Sequence, residues 1–148
     1  MHDRKFFIEF DGVYQHSEVW LNGHFLGYRP YGYISFGYDM TPYLRLAEQN
    51  LIAVRVDNSA QPNCRWYSGS GVYRHVWLVE TSPIHLGRWG AYITTPEVTT
   101  AAAQIGIRTI VNNESEESAR PVLKTSALAR SYPGSMRCSA YYPICGVQ

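Results

Sequence analysis

The chain has 148 residues, enough for one domain or for a small domain and part of another, and 45% hydrophobic against 17% charged residues excludes intrinsic disorder and a solvated charged rod. A formal net charge of +1 with scattered Lys and Arg leaves no basic face for nucleic acid, and no apolar run reaches the length of a membrane span. The aromatic share of 14%, with 12 Tyr and 4 Trp, favours strands and polar-tipped contact surfaces over helical bundles.

Met1-His2-Asp3-Arg4-Lys5 leads into strand-like sequence rather than the apolar centre of a signal peptide. Phe6-Phe7-Ile8-Glu9-Phe10 predicts a strand with Phe6, Ile8 and Phe10 on one face, ended by Asp11-Gly12. Two further strand-like runs between Ser17 and Gly27 flank Asn22-Gly23, a dipeptide that accepts the positive φ angles of a type I′ hairpin. An aromatic loop follows from Arg29 to Phe36, and Asp39-Met40-Thr41-Pro42-Tyr43-Leu44 predicts a turn or one helical turn. The loop either packs over the end of a sandwich or offers a stacking surface of its own. In Asn50 to Asp57, Ile52, Val54 and Val56 point inward and Arg55 and Asp57 outward, with Asp57-Asn58-Ser59 as the stop.

The segment from Asn63 to Leu78 carries the densest chemistry. It sets an amide, a guanidinium, an indole and phenols among glycines and serines, just before a strand from Arg74 to Glu80. Aromatic rings cover the apolar C–H face of a pyranose while Asn and Arg bond its hydroxyls; the alternative is a tight turn with a buried Trp. Short strands between Gly and Asn turns, without an amphipathic helix, indicate an antiparallel sandwich.

Thr81-Ser82-Pro83 marks a boundary. Beyond it, Ile84-His85-Leu86 and Gln104 to Val111 resemble strands of a second sandwich, and Asn112 to Ser118 reads as a solvated hairpin. From about Arg120 the alternation dissolves, and Ser126 to Gln148 receives no assignment. Cys64, Cys138 and Cys145 form neither an even disulfide framework nor a metal spacing, so free thiols stand against a Cys138–Cys145 bridge. The histidines at 2, 16, 24, 75 and 85 lack a two-His metal spacing, and no metal site is expected.

Three ordered segments resemble the N-terminal sugar-binding domain of glycoside hydrolase family 2, the β-galactosidase and β-glucuronidase superfamily, and are most similar to β-galactosidases of the Bacteroides type. They are Phe10-Asp11-Gly12-Val13-Tyr14 leading to Val19-Trp20-Leu21-Asn22-Gly23-His24; Tyr31 to Phe36 leading to Asp39 to Leu44; and Asn50 to Asn58 leading to Arg65-Trp66-Tyr67-Ser68-Gly69-Ser70-Gly71-Val72-Tyr73-Arg74. The resemblance implies an all-β fold: a jelly-roll, galactose-binding-like β-sandwich over residues 1–83, then the beginning of an immunoglobulin-like sandwich over 84–119. Residues 120–148 form an unassigned tail, as a shifted reading frame or an artificial end would produce. Relatives begin the jelly roll with extra strands before the position of Arg4, so the sandwich is expected to be partial at its N-terminus, with exposed edges and apolar surface.

The family's retaining chemistry needs two carboxyl groups about 5 Å apart, carried on a TIM barrel that this chain does not encode. Glu9, Glu18, Asp39, Asp57 and Glu80 match no family catalytic motif, and no catalytic residue or cofactor is expected. By resemblance, Asn63 and Arg65 are donors to sugar hydroxyls, with Trp66 and Tyr67 as platform or rim; interface packing is the structural alternative for Trp66, and Arg74 is structural. Where some relatives hold an acidic residue that binds sugar and sodium, this chain has Asn63-Cys64-Arg65, so no alkali-metal site is expected. The partners implied are a β-galactoside or related β-linked sugar and the catalytic barrel, in a soluble protein of a bacterial cytoplasm or periplasm. The competing readings are an autonomous lectin-like module and a truncated reading frame without activity.

Overall fold

A computed structural model describes residues 4–60, 69–128 and 137–143. By its contacts the chain divides into two compact units, Met1–Ser82 and Pro83–Gln148. Among the described residues the architecture is all-β, with a single 3-10 turn at Thr41–Tyr43.

The first unit holds strands β1 (Lys5–Phe10), β2 (Val13–Tyr14), β3 (Ser17–Leu21), β4 (His24–Arg29), β5 (Phe36–Asp39), β6 (Ile52–Arg55), β7 (Gly71–Val72) and β8 (Val76–Thr81). They form two three-stranded sheets, β5-β1-β8 and β4-β3-β6, and a small β2-β7 ladder, all antiparallel. Strict alternation builds the core. Ser17, Val19 and Leu21 of β3 are buried and Glu18 and Trp20 are not, while Ile8 and Phe10 turn inward from β1. Ile8, Phe10, Val13, Val19, Leu21, Phe36 and Met40 close into one cluster between the sheets. Phe10 and Phe36 are paired across β1 and β5 and stack at 5.1 Å. Burying one such ring contributes about 1.5–3 kcal/mol.

Asn22 and Gly23 have φ of +52° and +87° and join Leu21 to its partner His24, as the two-residue hairpin requires. Asn22 also accepts from the Leu51 N–H and donates to the Tyr43 carbonyl, tying both ends of the segment between the 3-10 turn and β6 to this hairpin. The Asp39 carboxylate accepts the Thr41 N–H at 2.8 Å and opens the 3-10 turn. The strand expected from Arg74 begins only at Val76, because the chain changes partner there: Val72 pairs with Val13 of β2, and Val76 with Phe10 of β1.

Among the described residues one flank of this sandwich is covered and the other is not. At the β4/β5 flank the Tyr38 ring lies over Gly27, where any Cβ would overlap it. At the opposite flank, Leu78 and Val76 pair with buried Ile8 and Phe10 and so share their inward face, yet they are 68% and 46% exposed. Ile52, expected inward, does point inward opposite Leu21 but is itself exposed, since it begins edge strand β6 where the core stops; Val54 and Val56 are half-buried.

The second unit holds β9 (Ile84–Val98), β10 (Ala103–Asn113), β11 (Val122–Leu128) and β12 (Arg137–Pro143), paired as two separate antiparallel ladders. Strand β9 runs far past the expected Ile84-His85-Leu86; Trp89 takes φ +55° and the β9–β10 register shifts between Thr109 and Val111, so an irregularity interrupts the sequence period. The polar stretch after Asn113 is a turn in which the Asn113 side chain accepts from the Ser115 N–H and donates to the Glu117 carbonyl. The region after Arg120, left unassigned from its pattern, contains a strand pair. From Val122 to Ser126 exposed and half-buried residues alternate, but Lys, Thr and Ser give that alternation little hydropathic contrast.

Candidate functional site

The chemically dense loop leaves β6 and returns at β7, and the described residues on both sides of it are braced. The Asn58 amide donates to the Ser70 hydroxyl at 2.8 Å, joining the loop's two stems. Asn58 accepts from the Gln15 amide at 3.5 Å, and the Asp57 N–H donates to the Gln15 carbonyl at 3.2 Å. Gln15 follows β2, whose Val13 and Tyr14 pair with Val72 and Gly71, so the stems hang from the same short ladder. The φ of +101° at Gly71 favours glycine at the return point.

Beside this ladder four tyrosines meet. Tyr14 and Tyr33 lie 5.2 Å apart between ring centres and Tyr31 and Tyr33 lie 5.7 Å apart, edge on. The Tyr73 hydroxyl donates to the Gly32 carbonyl at 2.8 Å, and Gly32 is so close to the Tyr14 ring that a Cβ would overlap it. The His16 N–H fixes the other end of this loop through the Pro30 carbonyl at 3.1 Å. The loop therefore packs over the sandwich end while Tyr31 and Tyr33 keep 60% and 51% of their surface exposed. Rings that are held in place and still open to solvent can stack on a sugar with little loss of side-chain freedom. Desolvation lifts the Tyr73 pKa above the usual tyrosine value; the Arg74 charge opposes this and Tyr33 and Tyr31 add to it.

A second polar feature lies on the outward face of the β4-β3-β6 sheet, where His16, Glu18, Tyr28, Arg55 and Asp57 line a shallow cleft of about 330 Å³. His16 bonds the Tyr28 hydroxyl, and Arg55 reaches Glu18 at 3.3 Å. Bonds from the Ser59 side chain and backbone hold the Asp57 pKa below its usual value, aided by Arg55 and His16.

Asn63, Arg65, Trp66 and Tyr67, the expected sugar contacts, lie outside the described residues, as do Cys64 and Cys145. The carboxylates have structural partners: Glu18 pairs with Arg55, Asp39 accepts the Thr41 N–H, Asp57 holds Ser59, and Glu80 lies 3.5 Å from Arg4. Sequence reasoning did not single out Tyr14, Tyr73 or the Gln15–Asn58–Ser70 brace. The only signal for them was the tyrosine excess, because the β2-β7 ladder joins segments far apart in the chain. Among the described residues no three His, Cys, Asp or Glu gather to hold a metal ion, and no helix is long and apolar enough to cross a membrane.

Residues 1–83 match the family described as glycosyl hydrolases family 2, sugar binding domain. A β-galactosidase of Bacteroides ovatus, BoGH2A, is 60% identical over 111 residues, 75% of this chain and 13% of that protein. A β-glucuronidase of Formosa agariphila is 33% identical over 142 residues, covering 82% of this chain and 14% of that protein. Among solved structures, a glycosyl hydrolase family 2 member from Bacteroides cellulosilyticus matches 96% of this chain at 33% identity with a TM-score of 0.84, using 19% of its own length. The chain thus spans only a small part of the relatives it matches.

Proposed function

The chain belongs to glycosyl hydrolase family 2 and carries its sugar-binding domain, and from that premise we propose that it supplies a non-catalytic, sugar-contacting wall to an active site whose TIM barrel lies outside this sequence. The observation that carries the reading is the braced loop: its stems are clamped by Asn58 and Ser70 at the tyrosine-lined end of a family 2 sandwich. Asn63 and Arg65 donate to sugar hydroxyls, and Trp66 and Tyr67 form the platform or rim. The substrate is a β-galactoside or a related β-linked sugar, in keeping with relatives named β-galactosidase and β-glucuronidase. Residues 1–83 form a jelly roll, and residues 84–119 begin an immunoglobulin-like domain that leads toward the barrel.

Two measurements test this. The purified chain is expected to leave an aryl β-galactoside intact and to give no heat on titration with galactose or lactose, because one wall of a pocket binds too weakly. Turnover by the chain itself overturns the non-catalytic role, and saturable binding favours an autonomous lectin-like module, a reading to which the exposed Tyr31 and Tyr33 lend support. In a polypeptide that joins this chain to its catalytic domain, Arg65→Ala is expected to lower kcat/KM about tenfold or more, the loss of one charge-assisted hydrogen bond. An unchanged kcat/KM removes Arg65 from the site.

A further inference from the structure

We propose that Tyr31 and Tyr33 form an outer sugar subsite, a stacking corner for the sugar beyond the bond to be cleaved, which favours substrates whose leaving group is itself a sugar. The assignment rests on the sugar-wall reading above. The corner is built from beneath. Tyr33 stands 5.2 Å from Tyr14 with the ring planes at 57°, and Tyr31 stands 5.7 Å from Tyr33 at 70°. Tyr14 is buried and paired within the β2-β7 ladder, so the stack of rings rises from a fixed base. Gly32, between the two outer tyrosines, is held twice: a Cβ there would overlap the Tyr14 ring, and its carbonyl accepts from the Tyr73 hydroxyl. Tyr73 is held in turn, since its ring lies against Gly12 where any Cβ would overlap it. These ties run between the aromatic loop and the β2-β7 ladder and do not involve the outer edges of either sheet.

Placement and ring chemistry select the occupant. The ladder that carries the corner also carries the stems of the Asn63–Tyr67 loop. Gln15, next to Tyr14, donates its amide to Asn58 and accepts the Asp57 N–H, and Gly71 pairs with Tyr14 at the loop's return. Two sugar-facing features on one ladder suit two consecutive sugars. The sugar to be released is recognised through its hydroxyls, for which Asn63 and Arg65 supply directional donors. The next sugar is covered through its apolar C–H face, for which an aromatic corner is enough. Two rings inclined at 70° offer a pyranose a floor and a side wall, and their phenol tips keep the rim polar. Because the loop beneath is already fixed, stacking costs little further conformational freedom.

The test uses a polypeptide that joins this chain to its catalytic domain and compares two substrates, a β-galactosyl disaccharide and β-galactosyl fluoride, whose leaving group has no ring to stack. Should that polypeptide cleave glucuronides instead, the corresponding β-glucuronyl pair is used. Tyr31→Ala and Tyr33→Ala are each expected to lower kcat/KM for the disaccharide about threefold to tenfold and to leave the fluoride unchanged. Tyr31→Phe and Tyr33→Phe keep the ring and are expected to retain the disaccharide rate within about twofold. Should Tyr33→Ala unfold, the Tyr31 series decides. Arg65→Ala is expected to slow both substrates alike, so the sugar-wall reading and the outer subsite fail separately. Equal losses on the two substrates, no loss on either, or Phe variants as slow as the Ala variants overturn the proposal. So does a Tyr31→Cys thiol that a maleimide fails to label at residue 31 in the joined polypeptide, because a covered ring cannot meet a sugar.

Discussion

The described residues of the first unit and of the second are built from the same element, the antiparallel strand pair, yet among them the buried hydrophobic core lies in the first unit alone. Ile8, Phe10, Val19, Leu21 and Phe36 fall below a few per cent exposure, whereas Leu86, Trp89, Tyr92, Ile93, Ile107 and Ile110 are all exposed. Composition does not account for this, since both stretches supply Ile, Leu and aromatic residues. Architecture does. The first unit sets one sheet against another, while the described residues of the second form two separate two-stranded ladders, and among them no further layer covers either ladder. The open flank at Val76 and Leu78 repeats the lesson within the first unit, because an inward-facing side chain is buried only where something faces it.

The largest expected effect tests that contrast directly. Leu21→Ala or Phe10→Ala is expected to destabilise the first unit by about 3–5 kcal/mol in urea unfolding, and Ile107→Ala to change stability by less than about 1 kcal/mol. Equal losses at Leu21 and Ile107 would break the comparison, since they would mean that the β9–β10 ladder is covered. A smaller effect sharpens it within the first unit. Gly32→Ala pushes a methyl into the Tyr14 ring and is expected to cost about 1–3 kcal/mol. Gly23→Ala meets open space but a φ of +87°, and its cost of about 1 kcal/mol is purely conformational. A Gly32→Ala loss no larger than that at Gly23 would mean that the tyrosine loop is not held against Tyr14.

How far the sequence disclosed this molecule depends on where each signal is stored. The Asn22-Gly23 hairpin and the alternation from Ser17 to Leu21 are local, and both were legible; the three ordered motifs were enough to identify the family. Strand β9 was read short because Gly87, Trp89 and Gly90 interrupt the period where the ladder itself is irregular. The pair β11–β12 went unread because its alternation contrasts Val, Lys and Ser with Leu and Thr, a weak hydropathic difference. Of the candidate site, the loop from Asn63 to Tyr67 was named from its own chemistry. The tyrosine end could not be, since Tyr14, Tyr31, Tyr33 and Tyr73 are gathered by pairing between β2 and β7 and by a bond from Tyr73 to Gly32, none of which leaves a local pattern.

The smallest effect concerns that bond. The Tyr73 hydroxyl must be protonated to donate to the Gly32 carbonyl, and desolvation raises its folded pKa above the usual tyrosine value of 10.0 despite the opposing Arg74 charge. In the unfolded chain the phenol ionises first, so its contribution to stability is complete below pH 10.0 and declines as the pH rises through the folded value. Tyr73→Phe keeps the ring over Gly12 and deletes the donor, leaving the Gly32 carbonyl to water or to nothing. At neutral pH the loss is expected to be about 1 kcal/mol, the usual net worth of one neutral hydrogen bond. The difference in urea midpoint between wild type and Tyr73→Phe reads the loss of this hydroxyl. That difference is expected to hold through neutral pH and to shrink toward zero in alkali. A gap that widens in alkali would mean that the phenolate is the better-held form, and that the tyrosine end is anchored by charge near Arg74 rather than by the hydroxyl on Gly32.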